Sequence, residues 1–184
     1  MSADFARLVS LACHDLRTPL ATVQGFAKTL LRSGTPADQQ ERYLGMIEAA
    51  SSELVELTER LSLLARIEGG RYEPVTREAD SLELVRFGAA AAQGRGTAVV
   101  VDVEAVERGL ADLVRAVARH GGVEPAVSVE GATVRISPVD EVVGAIALGE
   151  DAKDLGSVVA VRLVRALGGS AAVDDGALVV QLPR

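Results

Sequence analysis

Apolar positions fall into two long helical registers before the pattern changes. In the first, Val9, Ala12, Leu16, Val23, Phe26 and Leu30 follow three- and four-residue steps, and Pro19 fills the step between Leu16 and Val23. In the second, Tyr43, Ile47, Ala50, Leu54, Leu57, Leu61 and Leu64 keep a strict alternation of such steps, the period of a helix-bundle seam. Between them lies SGTPADQQ. Gly34 can end the first helix. Thr35 can cap the second, with Pro36 at its first position and Asp38 completing a capping box. The pattern predicts a helical hairpin closed by Gly69 and Gly70. One hairpin cannot bury both faces of such a seam, and no later segment offers another long helix. A second copy is therefore expected to complete a dimeric four-helix bundle.

After a polar link, GGRYEPVTREAD at 69 to 80, strands and helices mix. A short helix is expected at Ser81 to Ala92, a strand in TAVVVD, and a helix in VEAVERGLADLVRAVARHGG ended by Gly121 and Gly122. PAVSVEGATVRIS reads as a hairpin around Glu130-Gly131. KDLGSVVAVRLVRALGG reads as a helix, and SAAVDDGALVVQLP as a hairpin turned at Asp175-Gly176. This order suits a small α+β sandwich with helices on one face of the sheet. The expected organisation is a hairpin over residues 1–70 and an α/β domain over 71–184.

Composition narrows the function. The 184 residues are 48 % apolar and 24 % charged, as in a soluble globular protein. The net charge of -7 disfavours nucleic acid as a partner. The single cysteine, Cys13, allows no internal disulfide and fits a reducing cytoplasm. No apolar run approaches the roughly 20 residues that span a bilayer, and MSADFARLVS lacks a signal peptide's basic start. A cytoplasmic location away from the membrane is expected, and Met1 suggests a complete short protein. Two histidines and one cysteine at these spacings offer no metal site.

The chemistry concentrates in CHDLRTPL, at 13 to 20. At about 100° per residue, His14 lies roughly opposite the seam and shares its face with Thr18, Ala21, Gly25 and Lys28. An exposed imidazole on a rigid helix is a nucleophile that a partner can reach. Asp15 is placed to hold one ring nitrogen as N–H, which leaves a lone pair on the other. The small residues beyond Thr18 leave room for another protein. Elsewhere, His120 reads as a helix-terminal residue suited to the dipole, Cys13 as a packing residue, and Arg60, Arg66 and Arg71 as a solvated face.

HDLRTPL closely resembles the phosphoacceptor motif of two-component sensor histidine kinases, matching at all seven positions: His, acid, Leu, basic, Thr, Pro, Leu. The hairpin around it resembles that family's dimerisation and phosphotransfer domain. The resemblance implies that His14 accepts a phosphoryl group, that Asp15 is the base or orienting acid, and that Thr18 positions water when a phosphoaspartate is hydrolysed. It implies docking of response-regulator receiver domains at Arg17, Ala21, Gly25 and Lys28. An upstream hybrid or sensor kinase is a further candidate partner.

The remainder resembles the same family's ATP-binding domain in reduced form. Asp112 and Ala116 stand where asparagines would hold magnesium. Asp140 and Gly144 match the adenine loop, but Val142 replaces its first glycine. Gly156 remains of a second glycine pair, with Asp154 in place of its partner. Only residues 145 to 153 separate Gly144 from that box, too few for a mobile lid. Asp140, Gly144 and Gly156 therefore form at most a residual nucleotide-like site. No cofactor is expected, and magnesium is needed by the partner receiver rather than by this chain. Three functions remain: a histidine phosphotransfer protein of a phosphorelay, a divergent ATP-dependent histidine kinase lacking its own sensor, and a non-catalytic receiver-binding scaffold. The first accounts best for an intact motif beside an eroded nucleotide box.

Overall fold

The computed structural model describes residues 3–32 and 36–183, with side chains from Ala6 onward. The expected stop at Gly34 and cap at Thr35 lie outside the described residues. The chain divides into two compact units, Met1–Ser62 and Leu63–Arg184.

The first unit is the helical hairpin. Helix α1 (Ala3–Leu30) runs without a break through Pro19, which is buried. Helix α2 (Ala37–Glu68) opens with the Pro36 carbonyl accepting from the Gln40 N–H at 2.9 Å. Most of the apolar periodicity becomes the packed face, but Val9, which the spacing places on the seam, is exposed. Leu11, Ala12, Ala50 and Leu57 are buried, and the Phe26 and Tyr43 rings stack with centroids 5.1 Å apart. Leu20 on α1 and Leu44 and Val55 on α2 are also exposed.

The second unit follows in the order β1 (Thr76–Asp80), α3 (Ser81–Arg86), β2 (Gln93–Gly96), β3 (Ala98–Asp102), α4 (Val103–Gly121), β4 (Ala126–Gly131), β5 (Thr133–Ser137), α5 (Glu141–Ala147), α6 (Leu155–Ala166), β6 (Ser170–Asp174) and β7 (Ala177–Gln181). A five-stranded sheet has the order β2-β4-β5-β7-β6, parallel only between β2 and β4. Strands β1 and β3 form a separate antiparallel pair. Alternation decides which face of the large sheet is covered. Val127, Val129, Val134, Ile136, Leu178 and Val180 point into the core with Leu110, Leu113, Val117, Val161 and Leu163 of α4 and α6. Helices thus cover one face, as the pattern predicts.

Several local expectations are corrected. The link at 69 to 80 contains strand β1. Its sequence, TREAD, is charged and largely exposed, so no apolar alternation marks it. Strand β2 is QGRG, again without an apolar signal, and the β4 backbone packs so close to Gly94 that a Cβ there would collide with the Val129 carbonyl. The helix expected over 81 to 92 stops at Arg86. The stretch expected as an adenine-type loop after Asp140 is helix α5. The β4–β5 turn falls at Gly131-Ala132, one residue beyond the expected position. The last hairpin turns at Asp175-Gly176, where both residues have positive φ (46° and 67°), the backbone of a tight primed turn.

Candidate functional site

His14 lies mid-helix on α1 and its side chain is 78 % exposed. Its Nδ1 faces Asp15 Oδ1 at 3.2 Å, and Asp15 is itself only 26 % exposed. A carboxylate accepts, so it holds the tautomer in which Nδ1 carries the proton. Nε2 then bears the in-plane lone pair. Two neighbours on one helix produce this arrangement, and the helix backbone fixes both Cα positions. Thr18 is exposed one turn further along, and its carbonyl accepts from the Thr22 hydroxyl at 3.2 Å.

Below the histidine runs an open groove of about 630 Å³, lined by Arg17, Thr18, Ala21, Thr22, Gly25, Phe26 and Thr29. It brings together four residues singled out from sequence: Arg17, Thr18, Ala21 and Gly25. Lys28 is exposed but lies outside the lining. Sequence reasoning missed Thr22, Phe26 and Thr29. The signal was present, because Thr22 and Thr29 stand one turn after Thr18 and Gly25 and bond back to those carbonyls. Nothing lies within 4 Å of a Cβ placed at Gly25, so the groove floor is open there.

The residues matched to a nucleotide site fall into two groups. Asp140 caps α5, its carboxylate accepting from the Val143 N–H at 2.8 Å. Gly144 is buried inside that helix, and a Cβ there would stand 2.8 Å from Val173 Cγ2. Val142 is exposed on the same helix. The second group lies where α4 meets α6. Gly156 packs against Asp112, with Cβ room of only 3.0 Å. Asp112 is buried and paired with Arg115. Asp154 caps α6 through the Ser157 N–H at 2.9 Å, while Arg119 and His120 approach its other oxygen at 3.3 and 3.4 Å. Ala116 is buried, and its side chain offers no ligand atom. Among the described residues, no group of three or more His, Cys, Asp or Glu side chains could hold a metal. No helix among them is long and apolar enough to cross a membrane.

The other candidates have ordinary roles. Cys13 is exposed. Arg60 pairs with Glu56 at 3.3 Å, and the Arg66 guanidinium lies 5.9 Å over the Tyr72 ring.

The site is thus an exposed histidine beside an acid in the first helix of a hairpin. Residues 6–70 match the His Kinase A (phospho-acceptor) domain. The chain is similar to the probable sensor histidine kinase TcrY of Mycobacterium tuberculosis, 32 % identical over 65 residues, which cover 35 % of this chain and 14 % of that protein. The fold resembles the Acinetobacter baumannii histidine kinase AdeS, with a TM-score of 0.61 at 20 % identity over 92 % of this chain and 97 % of that one. It also resembles histidine kinase ThkA in its complex with response regulator protein TrrA, with a TM-score of 0.54 at 16 % identity over 94 % and 59 %.

Proposed function

We propose that this chain is a histidine phosphotransfer protein of a two-component phosphorelay. The observation that carries the reading is the exposed His14 with Asp15 on Nδ1. The Nε2 lone pair attacks the phosphorus of a receiver's aspartyl phosphate. The N–P bond forms as the P–O bond to the aspartate breaks, and the aspartate leaves as carboxylate with its electron pair. Positive charge developing on the imidazole is offset by Asp15. The reverse step loads a second receiver. The magnesium that neutralises the phosphoryl oxygens belongs to the receiver, and a response-regulator partner is in keeping with the ThkA–TrrA complex. Thr18 is one helical turn away, suited to orienting a water for hydrolysis. Docking falls to the groove below His14, with Arg17 as the cation in its lining and Lys28 exposed outside it.

The hairpin pairs with a second copy. In support, Val9, Leu20, Leu44 and Val55 are large apolar side chains left exposed on the hairpin.

Mg-ATP does not fit the α/β unit. Ala116 has no ligand atom, Asp112 is engaged by Arg115, and the N-terminus of α6 is capped by the chain's own Asp154. The rival reading, an ATP-dependent kinase, draws on the likeness of fold to AdeS and makes the opposite prediction for labelled ATP.

The test is incubation with a labelled phosphoreceiver. Acid-labile, base-stable label should appear on the wild type and vanish in His14→Gln with the fold retained. Label persisting at another residue, or no label on the wild type, would refute the assignment.

A further inference from the structure

The end of α2 is fastened to the α/β unit, and every contact involved lies within the second compact unit. Leu63, Ile67 and Tyr72 pack against its core. The Tyr72 hydroxyl donates to Asp102 Oδ2 at 2.9 Å. Arg162, on α6, donates to Glu68 Oε1 at 2.6 Å. The chain reversal between these two contacts is itself hydrogen-bonded. The Gly69 and Arg71 N–H groups return to the Ala65 and Arg66 carbonyls, at 3.1 and 2.8 Å.

From sequence, two glycines followed by a polar stretch read as a joint. We propose instead that residues 63–72 are a releasable latch, in which Tyr72–Asp102 and Glu68–Arg162 hold the C-terminal end of α2 to α4 and α6. Two features make it releasable without unfolding the unit. Asp102 caps α4 through its other oxygen, accepting from the Ala105 N–H, so the cap survives loss of the tyrosine. The Glu68–Arg162 pair is partly exposed, with side chains 42 % and 33 % accessible, so salt weakens it. Local opening of such a segment does not require global unfolding.

Hydrogen exchange of the full chain, followed by mass spectrometry, reads the latch at the amides of Gly69, Gly70 and Arg71. In Tyr72→Phe combined with Glu68→Gln, exchange over residues 66–72 should rise by about tenfold or more, while α4 and α6 stay within about twofold of wild type. Glu68→Gln alone should accelerate exchange over the same segment, since it removes the charge that Arg162 meets there. High salt should accelerate exchange in the wild type and leave Glu68→Gln unmoved. Unchanged exchange in the combined variant would overturn the proposal. So would acceleration spread equally over α4 and α6, because that would report general destabilisation.

Discussion

Replacing Asp15 by Asn tests how much of the phosphoryl transfer rests on the charge beside His14. The side chain keeps its shape and a carbonyl oxygen able to accept from Nδ1–H, so the ring orientation survives and only the negative charge goes. The gap is 3.2 Å, with His14 78 % and Asp15 26 % exposed. Two unit charges about 4 Å apart interact by about 1 kcal/mol in bulk water and about 4 kcal/mol at a partly shielded surface. With the histidine this open, the value lies toward the wet end, about 1–2 kcal/mol. That corresponds to a loss of roughly 5- to 30-fold in transfer rate, since the imidazole gains its positive charge only as the N–P bond forms. Rapid-quench transfer from a labelled phosphoreceiver gives kcat/KM for wild type, Asp15→Asn and Asp15→Ala. The Ala variant should be slower than the Asn variant, because it also loses the acceptor that sets the tautomer. Thermal unfolding should be nearly unchanged, as an exposed pair adds little stability. The difference between wild type and Asn should shrink in high salt. An Asp15→Asn rate within twofold of wild type at low salt would refute the reasoning and leave Asp15 a bystander.

The proposed dimer rests on the seam of α2: Leu54→Glu should cost about 3–5 kcal/mol by placing an unpaired charge in the bundle, and should give monomers in sedimentation. A folded wild-type monomer at micromolar concentration would contradict the bundle argument. Ala21→Arg and Gly25→Arg should each lower transfer by about tenfold or more while the helix stays intact, since both sites line the groove and the space at Gly25 is open. Normal rates in both variants would place docking elsewhere. Mg-ATP alone should yield no phosphohistidine, and calorimetry should detect no tight nucleotide binding. Label on His14 without a partner protein would move the chain to the kinase reading.

The parts legible in the sequence are those whose chemistry is local. The α1 and α2 registers declare themselves through their steps, and Pro19 falls on the buried side as its place in the spacing predicts. His14 and Thr18 are four residues apart on one helix, so helix geometry alone sets the face they share, and Asp15 is the histidine's immediate neighbour. Strands β1 and β2 were not legible, because TREAD and QGRG have no apolar face to alternate. They exist through backbone pairing with β3 and β4, strands that lie further along the chain. The sequence makes Asp154 a stray negative charge near a phosphate site, but the fold turns it into the cap of α6, met by Arg119 from 35 positions earlier. Tyr72 reads as part of a polar link. The fold buries it against Asp102, thirty positions away, and that burial, together with the neighbouring carboxylate, pushes its phenol well above the ordinary tyrosine range. In each case the decisive partner is distant in sequence and charged or backbone in nature, so periodicity carries no trace of it. The same distinction bears on function. The proposed phosphoacceptor is built on consecutive helical residues and is independent of any site assembled from separate elements, because Ala116 or Asp154 changes nothing in the turn that carries His14.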